Sequence, residues 1–498
     1  MKTKKLNKRI GIAILLFTAF TYSFGQTYTT YYMQAVPQAY HYNPASQPAC
    51  GFHFGLPAYN NITISNTLIS PSDLLLVDPE SGQTITLLHP NADAGAGLEN
   101  YVEGLRDIEE LSVESTNNIL SFGFRVKSMY FSFDATLQAK ESLSLPKDFL
   151  EFMLVGWGNN ETHDFTDLNI NMSNYIELGV TVSKEFFNTL SIGVRPKMLL
   201  GLASISTNHS VAEVYTSNEI MSFDINSDLR MGASGLTIPL DSLGMIDFGG
   251  LELDPNLPDS PLDLFNKGLG IDLGAHLNIY DKIQLSFSAL DLGYIKWDKN
   301  ARVTNINGSF SFEGVELKTN NDDDTVGFAD RMVDSLKENL KFSSTSSPFT
   351  TRLDPKIIAG GRIFLTPGLS VGLLSVTEIE QTRTTQDFIL LGNLHPRKGF
   401  SLSASYSLFG KSHKSFGLGM GTRVGPFNTF WAFDYIPMQV DKLTSESLDK
   451  IPLIHGIPIP VDMYKINFRF GGNFVFGCRK QKKLSRDLPL YQSTDWQY

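Results

Sequence analysis

Long apolar runs are almost missing from this sequence of 498 residues. Beyond the first 25 residues, no run of about 18 apolar residues occurs, which is the length that a membrane-spanning helix needs. A helical membrane protein is therefore excluded. Linkers are also missing, because no stretch rich in proline, serine and glycine divides the chain, and no repeat with a period of about 20–50 residues is found. One large domain is the simplest organisation.

Enzyme signatures are absent as well. The chain contains no HExxH, CxxC or GxSxG motif, and its nine histidines are scattered. These motifs carry the metal ligands and nucleophiles of common hydrolases and metalloproteins. We therefore expect no enzymatic activity, no catalytic residues, no metal and no cofactor.

The first 25 residues have the three-part layout of a secretory signal peptide. Five basic residues among the first nine precede an apolar stretch from Ile10 to Phe20, and Ser23-Phe24-Gly25 provides a small-residue cleavage site. This order is typical of exported proteins. We expect residues 1–25 to be removed, so that the mature chain begins at Gln26. We expect the mature chain to be located in the outer membrane.

The remaining chain is acidic. Removing the five basic residues of the leader leaves 36 of the 41 Lys and Arg residues against 52 Asp and Glu, a net charge of −16. Nucleic-acid binding requires clustered cations that contact phosphates. An acidic exported chain is a poor candidate for that role, so we expect no nucleic-acid partner.

Apolar and polar side chains alternate in many segments. From Phe400 to Leu408 every second residue is apolar, and all the residues between them are serine. Similar alternation occurs in residues 128–140, 175–183 and 464–476, where several polar faces carry full charges. Such strands occur in soluble sandwiches, whose apolar face meets a core. They also occur in outer-membrane barrels, whose apolar face meets lipid and whose polar face lines a lumen.

The connections distinguish the two architectures. Short turns on one rim and long loops on the other are typical of an outer-membrane barrel. Tight turns are predicted at 126–129, 186–189, 280–283, 366–369, 394–399 and 424–427, and long links at 67–116, 207–267, 298–350 and 438–462. We predict an all-β fold, a transmembrane antiparallel β-barrel of about 14 strands (range 12–16), with its tight turns at the periplasmic rim. A soluble protein of several sheets is the alternative.

The predicted strands lie near residues 50–66, 117–127, 128–140, 170–185, 188–206, 268–280, 282–297, 351–365, 368–380, 385–394, 399–409, 414–424, 427–437 and 463–477. Residues 208–230 can add another hairpin. One strand breaks its alternation, because Asp291 follows Ala289 on the face meant for lipid. We predict a β-bulge near Ala289–Leu290 that turns Asp291 inward and Leu292 and Tyr294 outward. Alternatively, Asp291 lies above the hydrocarbon.

Three segments resemble a known family. They read "VPQAYHYNPASQPACGFHFGLPAYNNITISN", "LSFSALDLGYIKW" and "GPFNTFWAFDYIP". They are similar to a domain-of-unknown-function family of outer-membrane barrels, which itself resembles the FadL-type fatty acid transporters and the accessory barrels of type IX secretion. In FadL-type proteins an Asn-Pro-Ala motif belongs to an N-terminal hatch within the lumen. The resemblance implies a hatch at residues 26–49 containing Asn43, Pro44 and Ala45, a barrel at 50–477 and a periplasmic tail at 478–498.

Charged residues on the polar faces are candidates for the lumen. They are Arg125, Asp134, Glu177, Arg195, Arg362, Arg469 and, through the bulge, Asp291. The arginines can hold hatch carbonyls or carboxylates through forked hydrogen bonds. Alternatively, they pair with carboxylates such as Asp134 and Glu177 and fill the barrel. We favour the second interpretation for any single arginine, because charges inside membranes usually pair with one another.

Two stretches in the long links have helical spacing, at residues 92–111 and 326–340. They can cap the extracellular mouth or collect an apolar substrate, but packing on the barrel rim is favoured. The two cysteines, Cys50 and Cys478, lie at the start of the first predicted strand and the end of the last. Barrel closure brings these ends together, and the periplasm permits disulfides. We predict a Cys50–Cys478 disulfide if the Cα atoms come within about 7 Å; otherwise both cysteines stay reduced.

Two functions are consistent with these features. The leading hypothesis is hatch-gated passive uptake of hydrophobic or amphipathic small molecules across the outer membrane. The alternative is an accessory or shuttle barrel that interacts with proteins in secretion or surface assembly, through the acidic loop 207–267 and the basic tail 478–486. Outer-membrane lipid is an expected partner in both. A hydrophobic ligand and a continuous apolar pocket belong to the first hypothesis, and a secretion or surface protein partner belongs to the second.

Overall fold

A computed structural model provides the structure of the chain. It describes residues 28–33, 36–57, 60–68, 75–77, 84–86, 101–156, 160–187, 189–217, 221–240, 250, 252–254, 260–280, 282–312, 340–380, 383–397, 399–409, 415–437, 440–442, 458–460 and 465–478. The predicted signal peptide at 1–25 lies outside the described residues. The predicted tail after residue 478 and the predicted helix at 326–340, apart from its last residue, also lie outside them.

Fourteen antiparallel strands form one closed barrel. Two of them are interrupted: β1 consists of Cys50–Gly55 and Asn60–Asn66, and β8 of Phe349–Arg352 and Lys356–Thr366. The others are β2 Ile108–Val126, β3 Met129–Pro146, β4 Asn169–Phe186, β5 Leu190–Thr216, β6 Asn266–Ile279, β7 Ile283–Trp297, β9 Leu369–Ile379, β10 Thr384–Arg397, β11 Phe400–Phe409, β12 Ser415–Val424, β13 Phe427–Pro437 and β14 Lys465–Cys478.

Each strand pairs with the next, and the last pairs with the first. β14 pairs with β1 from Cys50↔Cys478 to Gly55↔Asn473, which closes the sheet. The six tight turns join β2 to β3, β4 to β5, β6 to β7, β8 to β9, β10 to β11 and β12 to β13, all at one end of the barrel. The predicted count of 14 strands and the placement of all six tight turns on one rim are therefore confirmed. We call this end the tight-turn rim and the opposite end the long-loop rim.

The barrel is apolar outside and polar inside. On β7, Phe287 is 51% exposed while its neighbours Ser286 and Ser288 are 6% and 0% exposed. On β11, Leu402 is half-exposed while Ser401, Ser403 and Ser407 are buried. A soluble sandwich would bury the apolar face instead. The outward apolar face agrees with the predicted transmembrane barrel, whose outer surface meets lipid.

Several strands continue beyond the barrel on the long-loop rim. β5 has 27 residues, whereas about 9–11 are enough to cross a membrane. Beyond Leu202, β5 pairs with a strand at Met221–Ala233, which pairs with Ala301–Phe312, which in turn pairs with Lys341–Thr345. The predicted long links at 207–267 and 298–350 are therefore partly strand, and the suggested extra hairpin near 208–230 is present.

Smaller elements also lie in the long links. They are helix α1 at Lys147–Leu154, the short strand Glu161–Asp164, a 3-10 turn at Pro261–Asp263, and the two-stranded pairs Leu75–Val77 with Thr84–Thr86, Leu236–Thr237 with Glu252–Leu253, and Val440–Lys442 with Pro458–Pro460. Helix α1 was not predicted. The described residues contain no helix that is long and apolar enough to cross a membrane.

The prediction of a helix at 92–111 is wrong at the C-terminal end of that segment. Residues 101–103 are helical, but Ile108–Leu111 belong to β2, where Ile108 pairs with Pro146. The apolar spacing in this segment therefore belongs to the long-loop end of strand β2. Residues 92–100 lie outside the described part of the chain.

The predicted bulge on β7 is present. Leu290 and Asp291 together face the single residue Asp272 of β6, and Asp291 has a φ of 58°. As a result Asp291 turns inward, while Leu292 and Tyr294 are 39% and 48% exposed. The neighbouring strand β8 is interrupted at the same level.

Candidate functional site

The N-terminal segment lies inside the barrel. We call residues 28–33 and 36–49 the hatch. It contains two short 3-10 turns, Tyr28–Thr30 and Pro37–His41, and the second begins with a proline, whose fixed φ suits a first helical position. The hatch aromatic and apolar side chains that are at most 5% exposed include Tyr28, Tyr31, Tyr32, Met33, Val36, Tyr40, Tyr42 and Ala45.

The Asn43-Pro44-Ala45 motif forms a bend against the wall. Asn43 Oδ1 accepts a hydrogen bond from the Ala45 amide at 3.0 Å, which fixes the bend. Asn43 Nδ2 donates to the Phe287 carbonyl at 3.1 Å and to the Ala275 carbonyl at 3.3 Å. The motif thereby hydrogen-bonds to the backbones of β6 and β7.

Two glycines make room for this bend. A Cβ atom at Gly193 would overlap the backbone of Pro44, and one at Gly274 would overlap Asn43. The two glycines are direct partners in the β5–β6 register. The lack of side chains at these two positions leaves room for the bend. A larger side chain at either position would displace the bend.

Three of the four predicted lumen arginines contact the hatch. Arg362 Nη1 donates to the Tyr32 carbonyl at 3.2 Å, and its guanidinium lies over the Tyr32 ring at 4.8 Å. Arg469 donates to Thr30 Oγ1 at 2.8 Å and to the Tyr42 hydroxyl. Arg125, near the tight-turn rim, donates to the Pro48 carbonyl at 2.6 Å.

The interpretation that lumen arginines hold the hatch therefore agrees with the contacts of these three arginines. Their planar, multidonor head groups contact hatch oxygens and aromatic rings. Other polar wall residues add contacts to the hatch. Ser403 donates to the Thr29 carbonyl at 2.7 Å, and Asp434 accepts from the Thr29 amide at 3.1 Å. The hatch is thus held by polar contacts along its length.

Arg195 is the arginine that pairs with carboxylates. It contacts Asp134 at 2.5 Å, Asp272 at 2.8 Å, and also Glu177. Lys197, two residues along β5, contacts Asp272 at 2.8 Å and Asp291 at 2.5 Å. This cluster joins the inner faces of β3 to β7, and we call it the Arg195 cluster.

Two members of this cluster, Lys197 and Asp272, were not predicted. A signal was present for both, because Lys197 shares the face of Arg195 at a spacing of two, and Asp272 alternates with the small residues Gly270 and Gly274. Alternation alone indicates only which face of its strand a residue occupies. The register that puts Asp272 opposite Arg195 comes only from the folded barrel.

His41, Asp134 and Glu177 place ligand-type atoms within 4.8 Å of one another. Both carboxylates, however, already contact the Arg195 guanidinium. A divalent cation at this position would face that fixed positive charge. The arrangement therefore suits a structural ion-pair cluster better than a metal site.

A second ion-pair network crosses the lumen. We call it the crossbar, and its members are Glu110, Glu114, Lys140, Asp354, Lys356, Glu378, Glu380 and Arg383. Lys140 of β3 lies 3.3 Å from Glu114 of the adjacent strand β2, and 2.7 Å from Asp354 in the interruption of β8. Because β3 and β8 are far apart in the barrel order, these side chains meet across the lumen rather than along the wall.

The crossbar lies against the hatch. Tyr28 donates its hydroxyl to Glu378 at 3.0 Å, and Glu378 also contacts Lys356 at 3.3 Å. A cavity of about 100 Å³ lies beside these groups and is lined by residues of the hatch, the Arg195 cluster and the crossbar. The lumen on this side of the hatch is therefore narrow and strongly charged.

The two cysteines form a disulfide. Cys50 follows the hatch directly, and Cys478 ends β14, so the bond lies where the barrel closes. The end of the hatch that enters β1 is thus covalently tied to the wall. Its other end is held by the noncovalent contacts of Tyr28 and Thr29.

Comparison with known proteins places the chain in a family. A model described as a family of unknown function, DUF5723, matches residues 44–434. The chain belongs to the DUF5723 family. The predicted resemblance to a domain-of-unknown-function family is confirmed. No protein of curated function matches this DUF5723 chain.

Solved structures that match this chain include two toluene transporters and a FadL homologue. The toluene transporter TbuX of Ralstonia pickettii has 7% identity and a TM-score of 0.40, over 91% of this chain and 99% of that chain. A FadL homologue of Pseudomonas aeruginosa has 10% identity and a TM-score of 0.39, over 88% and 94%. The toluene transporter TodX of P. putida has 8% identity and a TM-score of 0.35, over 88% and 92%. The barrel assigned to this DUF5723 protein rests on its own strand pairing.

Proposed function

We propose that this DUF5723 protein is an outer-membrane channel whose hatch gates the passive entry of small molecules. The single observation that carries the proposal is the closure of the lumen by the chain's own N-terminal segment. That segment is tied at one end by the Cys50–Cys478 disulfide and held elsewhere by hydrogen bonds. A hatch held in this way can move within the lumen without unfolding of the barrel.

The surroundings of the hatch favour an amphipathic cargo over a purely apolar one. Half of the residues that line the cavity beside the crossbar are charged, and the ion pairs of the crossbar span the lumen there. A molecule that passes must exchange contacts with these groups, which favours polar or charged atoms at one end. The proposal assigns binding and passage to the protein, and no chemical reaction.

Native mass spectrometry tests this proposal. The full chain would be extracted in mild detergent from its own outer membrane and compared with a variant in which Asn43-Pro44-Ala45 is replaced by three serines. We expect a bound amphipathic molecule that is lost from the variant. The control is Gly392→Ala on the barrel wall, where an added Cβ meets no atom within 4 Å. An empty barrel, with and without the change, would contradict the proposal.

A second candidate is an accessory role with a protein partner. This role is favoured by the sheet that extends beyond the barrel on the long-loop rim and ends with the strand Lys341–Thr345. No described strand pairs with the outer edge of that last strand. Exposed strand edges are templates for pairing with another chain. The same extraction separates the two functions, because a protein that co-extracts at fixed stoichiometry with an empty barrel would favour the accessory role.

A further inference from the structure

A large cavity lies between the hatch and the tight-turn rim. Its volume is about 600 Å³, within the range of about 300–1,000 Å³ that is typical of small-molecule sites. Part of its wall is apolar, with Met33 and Val36 from the hatch and Phe400 and Val475 from the barrel. The cavity is therefore a suitable size and shape for an organic molecule.

The other part of the wall is cationic. Arg125, Arg362 and Arg423 line the cavity, together with a single carboxylate, Glu185. Among the described residues, no carboxylate lies within 4.0 Å of Arg362 or Arg423. Arg362 donates to the Tyr32 carbonyl at 3.2 Å, and Arg423 has the Cys50 sulfur 3.8 Å away. Each guanidinium is half-buried in the wall, and neither has a carboxylate partner among the described residues. Charges inside a barrel usually pair with an opposite charge, so both are free to pair with an anionic group.

Further polar atoms around the cavity have unused hydrogen-bonding capacity. Buried atoms without a hydrogen-bond partner among the described residues include His276 Nδ1, His395 Nε2, Ser401 Oγ and Asn428 Oδ1, all from residues that line this cavity. Native proteins satisfy nearly all buried polar groups. These residues place further hydrogen-bonding side chains in the wall beside the two guanidiniums.

We propose that this cavity binds the acidic group of an amphipathic small molecule, with Arg362 and Arg423 as the residues that recognise it. The inference rests on the proposed function and names its substrate class. Guanidinium groups match carboxylate and phosphate oxygens through paired hydrogen bonds. The apolar wall beside them takes the remainder of the molecule. The hatch closes the cavity on one side, which suits a compact ligand better than an extended peptide.

Calorimetric titration tests the assignment directly. Octyl phosphate would be titrated into the full chain in zwitterionic lipid nanodiscs, with empty nanodiscs as the blank and octanol as the uncharged probe. We expect saturable binding of octyl phosphate and none of octanol. Arg362→Gln and Arg423→Gln should each weaken binding by about tenfold, because charge-assisted hydrogen bonds are the strong ones. Arg362→Lys should restore part of the loss.

The matched control is Lys282→Gln, which removes a cation at the same rim from a residue that does not line the cavity. It should leave the affinity unchanged. Equal affinity for octanol and octyl phosphate would overturn the inference. Unchanged binding in a chain that combines Arg362→Gln with Arg423→Gln would also overturn it. So would binding of a tetraglutamate peptide without binding of octyl phosphate. Each variant would be run on gel electrophoresis with and without heating. A difference in mobility between the two samples would verify that the unheated variant is folded.

The two proposals fail in different ways. If octyl phosphate binds as expected but the extracted protein carries no small molecule, only the proposed function fails. If the extracted protein carries a neutral molecule and octyl phosphate does not bind, only the present inference fails.

Discussion

Gly193 and Gly274 face each other across the β5–β6 pair, and the Asn43-Pro44 bend of the hatch lies on both of them. The wall is thus shaped to receive one particular segment of the chain. Neither glycine has the positive φ that would require glycine on backbone grounds. Close approach of the hatch is therefore the reason that a side chain cannot be accommodated at either position.

Replacing either glycine should release the hatch. Gly193→Ala or Gly274→Ala introduces a Cβ that overlaps the bend, so the Asn43 hydrogen bonds to β6 and β7 should be lost. The hatch contains several tyrosines, and chymotrypsin cleaves after them once they become accessible. We expect cleavage at Tyr40 and Tyr42 to become about tenfold faster, as expected for the loss of one or two hydrogen bonds. Mass spectrometry of the released fragment would measure it.

Gly392→Ala is the matched control for this experiment, because an added Cβ there meets no neighbour. It should be cleaved at the rate of the unmodified chain. Equal protection in all three variants would show that the hatch does not depend on the glycine pair.

The crossbar should keep the lumen narrow even without the hatch. Removing residues 26–49 should give only a small conductance in planar bilayers, because Lys140, Glu114 and their partners still span the barrel. Adding Glu114→Ser and Lys140→Ser removes one charge of each sign, and the conductance should rise several-fold. The control pair is Asp263→Ser with Lys267→Ser, an exposed ion pair at 2.8 Å outside the lumen. A full-sized conductance after hatch removal alone would refute the crossbar as a barrier.

Arg195 should be important for stability. Arg195→Leu leaves Asp134, Glu177 and Asp272 without the guanidinium that they share. Breaking a buried ion pair by removing one partner costs about 3–5 kcal/mol. Urea unfolding in lipid vesicles should show a loss of this order. Arg302→Leu, which removes one hydrogen bond to the Ile238 carbonyl, should cost far less, and similar losses for the two variants would disprove the assigned role.

The disulfide should stabilise the closed barrel. Cys50→Ser with Cys478→Ser unlinks residues that are 428 positions apart in sequence. Loss of a native disulfide typically costs about 2–5 kcal/mol. The same urea titration should show this loss for the double variant, and thiol counting in denaturant should find no free thiol in the unmodified, non-reduced chain. Two free thiols in that chain would contradict the bond.

Local patterns predicted much of the fold. The serine alternation from Phe400 to Leu408, the six tight turns and the phase break at Asp291 are properties of neighbouring residues, so the sequence contains them directly. The position of the cysteines at the two ends of the barrel is likewise a matter of strand order. The length of the strands was harder to predict, because nothing in the pattern of β5 marks where the barrel ends and the extension begins.

The candidate site could be predicted only in part. Strand phase assigned Arg362 and Arg469 to the lumen, but the choice between hatch and carboxylate partners depends on where the hatch runs. The crossbar depends on which strands stand opposite each other in the closed barrel. Lys140 and Asp354 are 214 positions apart in sequence and on non-adjacent strands, so no local pattern connects them.

The central claim is that the hatch gates the lumen, and locking it tests this most directly. Thr29 Oγ1 and Ser405 Oγ are 2.5 Å apart, so Thr29→Cys with Ser405→Cys can join the free end of the hatch to the wall. Bilayer conductance would be recorded without reductant in the chain carrying Glu114→Ser and Lys140→Ser, beside each single cysteine variant. The account predicts that the single variants open and the linked double variant stays closed. Equal conductance in all three would contradict it.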